Sequence, residues 1–330
     1  MTRVITVIMK LFVTVILIMA SLAAGEVDEE LNLKYLTMSR SNFLIHFNEQ
    51  NYSWKKKQYS NFYFNINSYY ISHDYETPFL PYHYIDPKEV IYVPESFDSR
   101  VRWPHCESIS EIYNQKACNS CWTHGVANTA SDRICIHTGI PVKLSEQDLE
   151  CSHPKHTICG GGDPQLGFYY WEKEGLVTRG CKPYHPENLN RQVCERWCQD
   201  PRQNYDQDKH FAQKAYRIHK DDYQIKVELL LNGPIQAVME VYEDFIDEYG
   251  HGYSSGIYVH THGQWRTKHS VRVIGYGVEN GVHYWLVANS WGKAWGENGL
   301  FRIKRFQKLI DFEDRLNGQK RFADHFPPFL

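Results

Sequence analysis

The sequence predicts an α+β protein in which a helical, disulfide-tied half precedes a β-rich half. Three observations carry this. The chain after Cys121 has a helical period, all nine cysteines fall between 106 and 198, and beyond Pro234 the apolar period shortens to that of strands. Hydrophobic residues make up 42% of the 330 and aromatics 15%, enough for a substantial core. Such a composition excludes a disordered chain, a collagen-like fibre and a coiled coil. With 36 Lys+Arg against 39 Asp+Glu, and no charge run longer than Lys55-Lys56-Lys57, there is no nucleic-acid footprint.

Taken in order, Arg3 and Lys10 precede the apolar stretch Leu11–Ala20, which ends in Ser21-Leu22-Ala23-Ala24. Charged start, short apolar core and small residues read as a secretory signal peptide over 1–24. The stretch is too short for a membrane anchor, and no later run is long enough to span a bilayer, so no stable membrane association is expected. Residues 25–92 carry no cysteine and are rich in Tyr, Asn, His and Ser; they read as a propeptide or, alternatively, a small N-terminal domain. Asn51-Tyr52-Ser53 is a glycosylation acceptor in a secreted chain. Pro78, Pro81 and Pro87 mark an extended stretch leading to a boundary near Val93, where the 93–330 domain begins.

Within that domain Trp122, Val126, Ala130 and Ile134 recur every fourth residue, with Gly139 as the stop. Ser145-Glu146-Gln147-Asp148 reads as a capping box, and Asp222–Leu231 as a helix closed by Asn232-Gly233-Pro234. Tyr169-Tyr170-Trp171 reads as the packed face of a helix. Strands are expected at Ile235–Val241, Val271–Tyr276, His283–Ala288 and Leu300–Lys304. Turns fall at Glu279-Asn280-Gly281 and Glu297-Asn298-Gly299. His260 and His262 read as two exposed strand residues rather than zinc ligands.

An odd cysteine count in an exported chain leaves at least one thiol without an internal partner, and the count does not say which. Thiol catalysis requires a nucleophile of lowered pKa, a base, a group orienting the base, and an oxyanion donor. Cys121 opens a predicted helix, whose dipole and free N–H groups favour a thiolate. His269 opens an apolar strand, Asn289 ends the next one, and Gln115 lies six residues before Cys121. A competing reading takes Cys118-Asn119-Ser120-Cys121 as a secreted redox pair.

Gln115-x-x-Cys118-x-Ser120-Cys121-Trp122, Ser131-Asp132-Arg133-Ile134-Cys135-Ile136-His137 and Tyr284-Trp285-Leu286-Val287-Ala288-Asn289-Ser290-Trp291 together resemble the papain-like cysteine peptidases, in their cathepsin B-like branch. The resemblance runs from about Val93 to about Ile303. It implies a two-lobe fold, a helical left lobe and a β-barrel-like right lobe with the active-site cleft between them. It implies that Cys121 is the nucleophile forming an acyl-enzyme, His269 its imidazolium partner and Asn289 the orienting amide. Gln115 and the Cys121 N–H would form the oxyanion hole, and Trp291 would shield the His–Asn bond. Bridges would map as Cys106–Cys135, Cys118–Cys159, Cys151–Cys194 and Cys181–Cys198, leaving Cys121 free. Gly161 and Gly162 would pair with an extended substrate, Asn119 would crowd the first specificity pocket, and Arg315 would floor the second, favouring acidic or apolar side chains.

Where glycines are usual in the family, this chain has Lys116, Asn119, Thr267 and Lys268. Asn119 would tolerate a positive φ, and Lys268 would lower the imidazolium pKa. The stretch Cys181–Cys194 is short and holds only His185, so an endopeptidase is expected rather than a dipeptide-removing exopeptidase. The expectation is a zymogen of the secretory pathway, lysosomal or extracellular, needing no metal or organic cofactor. Its partners would be protein and peptide substrates, its own propeptide as inhibitor, and cystatin-type inhibitors. The alternative is a catalytically impaired homologue acting as a binding protein.

Overall fold

The computed structural model describes residues 27–60, 80–89, 92–152, 159–186, 195–247, 250–308, 310 and 312–320. The expected signal peptide lies outside them. The N-terminal segment forms α1 (Glu29–Thr37), α2 (Arg40–Glu49), β1 (Trp54–Gln58) and β2 (Tyr82–His83). Then come β3 (Phe97–Asp98), α3 (Ser99–Arg102), α4 (Cys121–Thr138), α5 (Glu146–Glu150), α6 (Pro164–Lys173), β4 (Lys214–Ile218) and α7 (Asp222–Asn232). The remainder is strand: β5 (Ile235–Tyr242), β6 (His251–Tyr258), β7 (Trp265–Glu279), β8 (Val282–Ala288), β9 (Leu300–Lys304) and β10 (Leu316–Lys320).

The strands run in the order β1-β6-β9-β8-β7-β5-β10-β4-β2, with β3 on β7. Among the described strands, β6–β9 and β2–β4 pair parallel and the other pairs antiparallel. Two apolar clusters define two lobes. In one, Trp122, Val126, Ala130 and Ile134 of α4 pack on Leu149, Phe168 and Trp171, the fourfold spacing expected of a buried helix face. In the other, side chains of β5–β9 meet around Phe245, Tyr253, Trp285 and Phe301. Asp132 and Arg133 bolt α4 to the β lobe. Asp132 pairs with Arg272 of β7 at 2.6 Å and Arg133 with Glu228 of α7 at 2.9 Å, all four side chains buried. Arg272 also donates to the carbonyls of Ser108, Ile109 and Glu111. Breaking such a buried pair from one side costs about 3–5 kcal/mol.

Strand bounds differ from expectation mainly at β7, which begins at Trp265 rather than Val271. Its polar start, Arg266-Thr267-Lys268, is strand because it pairs with Val241 and Glu240 of β5. His269 is therefore mid-strand. The β7–β8 turn places Asn280 (φ 52°) and Gly281 (φ 77°) in the left-handed region, as two-residue hairpins require. Ser145 caps α5 by accepting from Asp148 N at 3.0 Å.

The N-terminal segment packs on both lobes. Leu31, Tyr35, Phe43, Phe47 and Trp54 join the β cluster, while Leu80 joins the helical one. β1 pairs with β6 and β2 with β4. Alternation along β1 turns Trp54 and Lys56 inward, and Lys56 is 3% exposed. Its Nζ lies 3.3 Å from His262 Nε2, beneath the rings of Phe43, Phe47 and Trp54. Here the expectation of exposed histidines is overturned: His260 and His262 are buried at 2% and 0%. The cause is Asp244, a buried carboxylate that accepts from His260 Nδ1 (3.0 Å), Thr261 N (2.7 Å) and Tyr258 OH (2.6 Å). Against the carboxylate's burial, His260, with His262 and Lys56 nearby, holds the Asp244 acid well below the usual carboxylate range, whereas burial pushes Lys56 down to about 8 and His262 well below the ordinary histidine value.

Candidate active site

Cys121 is the first residue of α4, behind Ser120. Three disulfides fix the segments around it, Cys106–Cys135, Cys118–Cys159 and Cys181–Cys198. Cys151 is also bonded, and its expected partner Cys194 lies outside the described residues. Among the described cysteines Cys121 alone is free. The Cys118–Cys159 bridge removes the redox reading of Cys118 and Cys121.

The α4 N-terminus abuts β7, and the backbone N–H of Ser270, next to His269, reaches the Cys121 thiol. His269 Nε2 bonds Asn289 Oδ1 at 2.8 Å. Because an amide oxygen only accepts, Nε2 carries the proton, and the buried Nδ1 is left without a hydrogen-bond partner. Trp291 stacks on the imidazole with centroids 4.6 Å apart, as expected of a shield. Gln115 is 2% exposed and doubly fixed: Nε2 donates to Cys118 O at 2.8 Å, and Oε1 accepts from Ser290 Oγ at 2.6 Å. Its amide has a second N–H to offer an oxyanion.

Burial governs the electrostatics. It pushes the Cys121 thiol up to about 11, against the lowering effect of the Ser270, Trp122 and Cys121 N–H groups. It brings His269 down to about 4, partly opposed by the Asn289 bond. The helix start therefore favours a thiolate, and desolvation opposes it. Transfer of the thiol proton to Nδ1 creates two mutually attracting charges, which is what thiolate catalysis needs.

Other expectations divide. Gly162 lies against Trp122, where a Cβ would come within 2.5 Å of the indole. Gly161 sits beside it at φ 88°, half exposed. Asn119 is buried, but the residue in the left-handed region is Lys116, at φ 55°. Lys268 turns away from the imidazole by strand alternation, its Nζ 3.8 Å from Glu240; what lowers His269 is first of all its own burial. Arg315 is half-buried, and its carbonyl accepts from Val238 N, the residue paired with Ser270. Asn51 is exposed before β1. Residues 187–194 of the shortened loop lie outside the described set.

Three residues escaped the sequence reading. Tyr184 OH lies 2.6 Å from Ser120 Oγ and donates to Gln115 O at 2.9 Å, bracing the nucleophile loop. Glu150 accepts from Cys159 N at 3.3 Å, and burial pushes its acid up to about 8. His124, one helical turn after Cys121, was detectable from that spacing alone.

Comparison with known proteins agrees with this geometry. The family described as "Papain family cysteine protease" matches residues 93–316. A cathepsin B-like cysteine proteinase 6 of Caenorhabditis elegans is 41% identical over 242 residues, 64% of this chain and 62% of that protein. A cathepsin B-like cysteine proteinase of Schistosoma japonicum is 38% identical, covering 64% of this chain and 69% of that one. The chain thus spans just under two thirds of the first relative's length. Among solved structures, a procathepsin B from Trypanosoma congolense superposes with a TM-score of 0.74 at 28% identity, over 87% of this chain and 99% of that one. A digestive procathepsin L 3 of Tenebrio molitor shares the fold at a TM-score of 0.58 and 20% identity, over 89% and 87%. With its thiol, imidazole and amide in place, the chain belongs to the papain family of cysteine proteases.

Proposed function

We propose that this protein is a cathepsin B-like cysteine endopeptidase made as a zymogen. The observation that carries it is the free Cys121 at a helix start beside a strand whose His269 is held by Asn289 and roofed by Trp291. Cys121 attacks the scissile carbonyl, the Cys121 N–H and the second Gln115 N–H receive the oxyanion, and the His269 imidazolium protonates the leaving amine. Water then releases the acyl group with His269 as base. Gly161 and Gly162 present backbone to an extended substrate, and Arg315 biases the second pocket against basic side chains. Residues 25–92 act as the inhibitory propeptide, cleaved near Val93, with Asn51 the glycosylation acceptor.

Export through the secretory pathway to a lysosome or the cell exterior fits the four-bridge framework. No helix among the described residues is long and apolar enough to cross a membrane.

Hydrolysis of blocked fluorogenic dipeptides after acid processing tests the reading. Turnover by the wild type that vanishes in Cys121→Ser supports it. A folded, processed wild type without turnover refutes it in favour of a binding protein.

A further inference from the structure

Between α4 and the strands β7 and β8, a cavity of about 10 Å³ is lined in part by His124, Asn128, Ser270, Asn289 and Ser290. That is the lower bound for holding one water, and the lining is polar enough to bind it. Two of the lining residues carry buried polar atoms without a hydrogen-bond partner, His124 Nε2 and Asn289 Nδ2. Their chemistry is complementary. His124 Nδ1 lies 2.9 Å from Ser120 O, so Nδ1 carries the proton and Nε2 is a bare acceptor. Asn289 Oδ1 accepts from both His269 Nε2 and Ser290 N, which fixes the amide and leaves Nδ2 as a pure donor. A water there would accept from Asn289 Nδ2 and donate to His124 Nε2, and the lining also includes Asn128 and Ser270, whose oxygens could take its second proton.

We propose that His124 is a positioning residue for the Cys121–His269 pair, holding through one buried water the far edge of the Asn289 amide that orients His269. The proposal rests on the protease reading given above. His124 is 2% exposed, with Tyr184 packed edge-on against its ring at 4.7 Å. Around it stand Cys121 on its own helix, Tyr113 from the preceding loop, Glu146 of α5, Arg179, Tyr184 and His269 of β7. Burial holds the imidazole below its ordinary value, with Glu146 opposing and Arg179 assisting.

The test uses the full chain as wild type, His124→Phe and His124→Gln, with thermal unfolding as control. Three quantities are read: kcat and KM after acid processing, the pH profile of Cys121 alkylation by iodoacetamide, and the ring-nitrogen chemical shifts of His124. His124→Phe should lower kcat about tenfold with KM within twofold, and shift the acid limb of alkylation. His124→Gln, whose side-chain carbonyl can accept from the same water, should recover most of the loss. A phenylalanine variant with wild-type kcat and alkylation limb overturns the proposal; so does equal impairment of both variants, which would mean ring volume alone matters. If the wild type lacks turnover, the protease reading falls, and the alkylation limb decides the positioning role by itself. Should His124→Phe fail to fold, the wild-type spectrum decides: Nδ1 protonated with a hydrogen-bonded Nε2 upholds the proposal, a protonated or unbonded Nε2 overturns it.

Discussion

The active site and the seat of the N-terminal segment are both buried polar clusters built around histidine, and they are finished differently. In the seat, Asp244 is filled by donors from His260, Thr261 and Tyr258, and Lys56 is set against His262. In the active site, His269 Nδ1 and Asn289 Nδ2 are left over. A buried orphan costs about 1–3 kcal/mol. Each keeps a spare buried imidazole nitrogen, His260 Nε2 in the seat and His269 Nδ1 in the site; the seat's other polar groups hold two segments together, whereas the site's spare nitrogen lies where a proton must move.

The largest effect expected from that contrast is in the seat. Asp244→Ala strands three donors and should destabilise the full chain by about 3–5 kcal/mol in urea unfolding. Wild-type stability would mean the cluster is ornamental. Next, burial holds folded Lys56 down to about 8, below the ordinary lysine value of 10.5. The folded chain binds its proton less tightly than the unfolded one, so charged Lys56 opposes folding below pH 8 and stability rises as pH climbs to 10.5. Unfolding at stepped pH should show a gain of about 3 kcal/mol across that window, absent in Lys56→Met.

In the site the same kind of deletion should appear in rate rather than stability. Asn289→Ala should cut kcat roughly 10²-fold, with KM and melting temperature nearly unchanged; a large loss of stability instead would erase the distinction between the two clusters. The smallest effect lies at the rim. Lys116 at φ 55° is left-handed without being glycine, so Lys116→Gly should stabilise by about 0.5–1 kcal/mol in thermal unfolding.

These clusters also differ in how legible they were. Cys121, His269, Asn289 and Gln115 could be read because thiol catalysis demands particular residue types at the ends of particular elements. The helix α4 could be read because its apolar side chains Trp122, Val126, Ala130 and Ile134 recur every fourth residue, although every residue from Cys121 to Cys135 is buried. The seat could not. Lys56 and His262 lie 206 residues apart and meet only because β1 pairs with β6. Lys55-Lys56-Lys57 is the longest charge run in the sequence, yet strand alternation buries its middle lysine. Similarly, β7 was shortened because its polar start gains its strand character from β5, a partner no local window contains.

β1 and β2 occupy the two ends of the strand order, so both outer rows of backbone N–H and C=O groups belong to the N-terminal segment. Were the chain cut near Val93, as proposed, both ends would be stripped at once. The remaining domain would then present fresh templates for pairing with another chain. Having folded with those templates covered, it would have to refold without the cover. Such a cut would act as a ratchet: it would discard part of the instructions for remaking the fold, and the lifetime of the product would become a matter of how slowly it unfolds.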